Sequence, residues 1–119
     1  MRTYVLLFVS IALGALGQVT MKWGTMKVAA VDGEGIRGLL FKYFTNPQIL
    51  LGLVLYALSA VLWILAISKV NLSFAYPMVA LGYIIVFGIS HFAFGESISL
   101  LRLIGLITIV AGVAMIAKS

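Results

Sequence analysis

The sequence contains no cysteine. A disulfide framework, a thiolate metal site and a cysteine nucleophile are therefore all excluded. Carboxylates are nearly as scarce: Asp32, Glu34 and Glu96 are the only three in the chain, and His91 is its only histidine. Each carboxylate falls at or outside the end of an apolar stretch, so none is expected at membrane depth. His91 lacks the second imidazole or nearby carboxylates that a metal site or a nucleophile relay needs, and it reads as a packing or interface histidine. No glycine-rich phosphate loop occurs either. No catalytic residue, metal or cofactor is expected, and the chain is not read as an enzyme.

Charge is scarce altogether. Only 9% of the 119 residues are charged and 64% are hydrophobic, with a mean hydropathy of +1.23, where a soluble domain is about a quarter charged. The apolar stretches are continuous rather than alternating, which favours membrane-spanning helices over a barrel. Thr3 to Met21 and Ile49 to Ser68 carry no charge, Val70 to Gly95 carries only His91 besides neutral residues, and Ile98 to Ala117 carries only Arg102, near one end where its side chain can snorkel. We therefore expect an all-α integral membrane fold in one domain, 1–119, with spans at about 3–26, 47–68, 72–94 and 98–117. The opening Met1-Arg2-Thr3 before an apolar run also fits a secretory signal, but the run is longer than a typical signal core and three more spans follow, so a retained first helix is the simpler reading.

The sizeable connection from Lys22 to Asn46 holds a polar turn at Asp32-Gly33-Glu34-Gly35. Residues 36–45, where Arg37 and Lys42 alternate with Phe41, Tyr43 and Phe44, are expected to lie on the membrane surface. Asn46-Pro47 is a cap and first-turn pair, and Ser97 or Ser99 is positioned to cap the last helix. Pro77 removes the backbone donor for the Ser73 carbonyl, so the third span either starts near Ser73 or bends there. Arg2, Lys69 and Lys118 lie on one side, and Lys22, Lys27, Arg37, Lys42 and Arg102 on the other, three against five. That imbalance weakly favours both termini outside, and it also suits dual insertion or a partner of fixed orientation.

Polar groups at membrane depth are costly unless they face a partner or a wet cavity. Gly14, Gln18 and Lys22 are spaced by four and share one face of the first helix. Such a stripe can hold an anionic headgroup on the ammonium and the amide; alternatively Lys22 snorkels and Gln18 bonds a neighbouring helix. Gly52, Tyr56, Ser59 and Trp63 form a second stripe, and Tyr76 and Tyr83 share a face of the third span. Cavity lining is one reading of these aromatics and an interfacial belt or packing the other, with Tyr83 too deep for a belt. Gly105, Thr108 and Gly112 make a small-residue seam on the last helix, suited to dimer packing or to packing within the chain.

With these residues placed, the chain resembles the small four-helix members of the drug/metabolite transporter superfamily. The stretch Leu50-Leu51-Gly52-Leu53-Val54-Leu55-Tyr56, then Trp63, then Val70-Asn71-Leu72-Ser73-Phe74-Ala75-Tyr76-Pro77-Met78, together with Leu16-Gly17-Gln18, resembles the paired subunits of the aminoarabinose-phosphoundecaprenol flippase. The Gly95-Glu96-Ser97-Ile98-Ser99 turn and the Gly105 to Gly112 seam are shared more widely, including with small multidrug-resistance exporters. Those exporters carry a proton-exchanging glutamate in the first helix, where this chain has Gly14.

The resemblance implies a flippase subunit that moves a polyprenyl-phosphate-linked sugar across the bacterial inner membrane by alternating access. It implies a half-transporter working as a homodimer, or as a heterodimer with a related four-helix chain, with membrane lipid and the lipid-linked sugar phosphate as partners and no nucleic acid. Lys22 and Gln18 would then engage the headgroup, and Tyr56, Trp63, Tyr76 and Tyr83 would line its cavity. An exporter of small cationic compounds using Glu96, and a non-transporting helper of another membrane protein, are the alternatives.

Overall fold

The computed structural model describes residues 2–28 and 35–119. The turn expected at Asp32-Gly33-Glu34 lies outside the described residues. Within them every regular element is helical: α1 (Arg2–Lys27), α2 (Ile36–Thr45), α3 (Pro47–Ile67), α4 (Leu72–Met78), a 3-10 turn (Val79–Leu81), α5 (Gly82–Phe94) and α6 (Leu100–Lys118). Because α4, the 3-10 turn and α5 run on as one span, four spans of 26, 21, 23 and 19 residues are long and apolar enough to cross a bilayer, which takes about 20 residues of helix. The chain is a multi-pass membrane protein of four spans.

The helix ends follow from local chemistry. Asn46 Oδ1 accepts from the Gln48 and Ile49 backbone N–H groups at 3.0 and 3.1 Å, and Pro47 occupies the first turn, where its missing donor costs nothing. Asn46→Ala is expected to lower stability by about 1 kcal/mol, read as an earlier unfolding midpoint in detergent. Ser99 rather than Ser97 caps α6, its Oγ accepting from the Arg102 N–H at 3.1 Å. Gly95 ends α5 in the left-handed region at φ +68°, where a side chain would be strained.

Pro77 is not a first-turn proline. It sits inside α4, which starts at Leu72, and the 3-10 turn follows directly. The absent donor leaves the Ser73 carbonyl without its usual partner, and the third span changes its winding just beyond that point.

α1 packs along α3, and glycines set how closely. A Cβ on Gly17 would stand 2.8 Å from the Gly52 carbonyl oxygen and 3.0 Å from the Tyr56 nitrogen, and one on Gly52 would stand 2.6 Å from the Gly17 carbonyl oxygen. Gly24 meets Ile49 N in the same way, at 2.8 Å. Only bare backbones fit, as in other small-residue crossings within membranes. Gly52 therefore belongs to the helix contact rather than to the aromatic stripe read from its spacing. Beside the glycines, buried Ser10 donates from Oγ to the Ser59 carbonyl at 2.8 Å, and Ser59 Oγ donates to the Tyr56 carbonyl at 2.7 Å.

The apolar core lies toward one end of the bundle. Leu7 and Ile11 of α1, Ala66 at the end of α3, Ala75 and Met78 of α4 and Val113 of α6 form one buried cluster. Toward the other end, α5 beyond Gly82 and the first half of α6 hold no buried residue. All the spans are thus knit together near Leu7, whereas toward Lys22 and Arg102 α1 and α3 stay in contact and α5 and α6 part from them. Apolar side chains left exposed along the outside, such as Val54, Leu65, Ile107 and Met115, match a lipid surround.

Candidate functional site: two adjoining cavities between the spans

The parting of the helices opens two clefts. The first, about 540 Å³, is walled by Gln18 and Lys22 of α1, by Tyr83, Ser90 and His91 of α5, by the Glu96-Ser97 turn and by Arg102 of α6. The second, about 660 Å³, is walled by Ser10, Gly14 and Gln18 of α1, by Tyr56, Ser59 and Trp63 of α3, and by Tyr76 and Tyr83 of the third span. Gln18, Tyr83 and Val86 belong to both walls, so the two clefts meet at that point. Neither cleft is enclosed by the chain's own helices.

Local structure explains how each side chain arrives there. Gln18 and Lys22 lie one turn apart on α1, so the amide reaches the junction while the ammonium stays in the first cleft. The change of winding at Val79–Leu81 falls between Tyr76 and Tyr83, yet both phenols face the second cleft. Tyr83 is tilted against Phe87, with ring centroids 6.0 Å apart. Trp63 is half-buried and also packs on the apolar core, so it serves packing and lining together. Tyr56 and Tyr76 are exposed at 47% and 69%, which leaves their faces open to whatever enters.

The two clefts differ in chemistry. The second is mainly aromatic and aliphatic, with hydroxyls and one amide set into it. The first carries two cations, Lys22 and Arg102, with one carboxylate, Glu96. Among the described residues, no three carboxylate or imidazole side chains gather as a metal set. Paired cations beside hydroxyl and amide donors can take a phosphate through charge-assisted hydrogen bonds, and flat aromatic walls can take a sugar ring or an apolar chain.

Six residues read from spacing, Gln18, Lys22, Tyr56, Trp63, Tyr76 and Tyr83, line one or both clefts. Gly105, Thr108 and Gly112 line neither. Thr108 Oγ1 is turned to the Ile104 carbonyl at 2.8 Å, and nothing lies within 4 Å of a Cβ built on Gly105 or Gly112. Within the described residues the α6 seam is therefore not used by the chain's own packing.

Sequence alone reads Arg102 as a snorkelling side chain, and the structure adds that it lines the same cleft as Lys22. The available signal was the Ser99 cap, which fixes Arg102 in the first turn of α6, at the membrane side where α1 ends. Ser10 was missed because a lone serine in an apolar run carries no spacing signal.

A probable 4-amino-4-deoxy-L-arabinose-phosphoundecaprenol flippase subunit ArnE of Pseudomonas paraeruginosa is 32% identical over 115 residues, 95% of each chain. Its counterpart in Pseudomonas aeruginosa is 33% identical over 116 residues, 96% of each. A probable flippase subunit ArnF of Serratia proteamaculans is 31% identical over 120 residues, 98% of this chain and 92% of its own. No protein-family profile matches the chain, and no solved structure does. The extent and level of identity to both kinds of subunit show that the chain belongs to the family of the 4-amino-4-deoxy-L-arabinose-phosphoundecaprenol flippase subunits ArnE and ArnF.

Proposed function

We propose that the chain is one subunit of a paired flippase that moves a polyprenyl-phosphate-linked sugar, of the aminoarabinose-phosphoundecaprenol type, across the bacterial inner membrane by alternating access. The observation that carries this reading is the junction of a cationic cleft with an aromatic one at Gln18 and Tyr83. Lys22 and Arg102 neutralise the phosphate, Gln18 donates to its oxygens or to the sugar, and Tyr56, Trp63, Tyr76 and Tyr83 line the route. The prenyl tail stays in lipid. No bond is made or broken, so the subunit is a transporter component and not an enzyme.

Two chains are needed because one leaves both clefts open. The partner is a second copy or a related four-helix chain, packed against the unused seam of α6 at Gly105, Thr108 and Gly112. The helix α2 lies on the membrane surface, its exposed Ile36, Leu40 and Phe44 recurring every four residues against the acyl boundary. Gly105→Leu with Gly112→Leu is expected to leave the fold of the single chain unchanged while reducing association at least about tenfold. Cross-linking yield in membranes and the unfolding midpoint in detergent read the two effects apart. The function itself is tested in proteoliposomes holding the paired subunits and undecaprenyl phosphate-aminoarabinose in one leaflet. Protein-dependent appearance of the sugar in the other leaflet supports the reading, and equal appearance in protein-free vesicles overturns it.

A further inference from the structure

The cationic cleft is not uniformly cationic. Glu96 shares its wall with Lys22 and Arg102, and its backbone is pinned from both sides. The Glu96 N–H donates to the Ser90 carbonyl at 3.2 Å, and the Glu96 carbonyl pairs with His91 Nδ1 at 2.9 Å. The left-handed turn at Gly95 carries the chain into that position. These backbone bonds belong to the capping of α5 at a left-handed glycine, and they fix the point from which the Glu96 side chain joins the wall.

Two cations alone would accept any polyprenyl phosphate, and they would repel a headgroup that also bears an ammonium, because like charges in one partly desolvated site disfavour each other. One carboxylate in the same wall reverses that preference. We propose that Glu96 is the specificity-determining residue of the cleft, receiving the protonated amine of a zwitterionic aminosugar-phosphate headgroup while Lys22 and Arg102 hold its phosphate. This rests on the reading of the cleft as a lipid-linked phosphate site.

The test measures binding by the purified full chain, paired as isolated, of four probes: undecaprenyl phosphate, its aminoarabinose conjugate, the N-acetylated conjugate and soluble aminoarabinose 1-phosphate. The wild type is expected to bind the amine-bearing conjugate about tenfold more tightly than the N-acetylated one. Glu96→Gln abolishes that difference and does not weaken undecaprenyl phosphate binding, since it removes a negative charge from the phosphate's wall; an unfolding midpoint matching the wild type shows that the variant is folded. Glu96→Asp retains part of the preference. Weak binding of the soluble sugar phosphate beside tight binding of the conjugate shows that the ligand comes from the membrane; equal affinity for both would overturn a lipid-linked source. An amine preference that persists in Glu96→Gln, or no preference in the wild type, overturns the role of Glu96 while the phosphate site stands. If no probe carrying phosphate binds, the phosphate site fails and the inference falls with it.

Discussion

Gly52→Val is expected to drive α1 away from α3 and to leave little folded protein in the membrane. The new Cβ would meet the Gly17 carbonyl oxygen at 2.6 Å and the Met21 nitrogen at 2.9 Å, and backbone atoms on a helix have nowhere to move. Met21 Cγ, at 2.5 Å, is the one neighbour able to swing aside. Overpacking a tight contact costs about 1–3 kcal/mol when side chains can yield, so a clash with fixed backbone belongs at or above the top of that range. Gly17→Ala, aimed at the Gly52 carbonyl oxygen, should show a smaller loss of the same kind. Gly105→Val is the internal control, since open space surrounds that position in the single chain and the unfolding midpoint should barely move. Unfolding in detergent at matched concentration checks all three, and equal midpoints for Gly52→Val and Gly105→Val would contradict the assignment of the first seam to the chain and the second to its partner.

Lys22→Ala is the substitution expected to affect ligand binding most. A hydrogen bond to a charged group contributes about 1.5–3 kcal/mol, so loss of the ammonium should weaken undecaprenyl phosphate binding about ten- to a hundredfold. Gln18→Ala removes a neutral donor and should cost about fivefold. The double variant should lose more than either, and Lys22→Arg should retain most of the affinity because a guanidinium also holds phosphate. Ligand titration of each variant, with the unfolding midpoint recorded alongside, separates lost contacts from lost fold. Unchanged binding in both Lys22→Ala and Gln18→Ala would remove α1 from the site.

The four spans were legible because membrane-crossing helices are written in composition: uninterrupted apolar runs of sufficient length need no tertiary information. The Asn46-Pro47 start was legible for a similar reason, as cap and proline act within one turn. Gln18, Lys22, Tyr56, Trp63, Tyr76 and Tyr83 could be picked out because polar and aromatic groups at membrane depth are few here, and each needs a wet or polar neighbour. What spacing could not show is which face meets which helix. Gly52 shares a helical stripe with Tyr56 and Ser59, but Gly52 meets Gly17, Ser59 is buried against α1, and Tyr56 reaches the cleft. Arg102 and Glu96 lie far from Lys22 in sequence, and they reach one wall because the third span ends at the same end of the bundle as α1, with the turn at Glu96 and the start of α6 following it. Pro77 was open between two outcomes because a proline near a span's start suits either, and the structure holds both features: the helix starts at Leu72, one residue before Ser73, and its winding changes at Val79–Leu81 just past the proline.

The most direct measurement is equilibrium binding by the purified protein of undecaprenyl phosphate and its sugar conjugates, set against a panel of quaternary ammonium compounds. The account predicts saturable binding of the phosphate lipids, weakened by Lys22→Ala and undisturbed by the quaternary ammonium compounds. Saturable binding of those compounds instead, lost in Glu96→Gln and with no affinity for undecaprenyl phosphate, would contradict it and make the chain an exporter of cations.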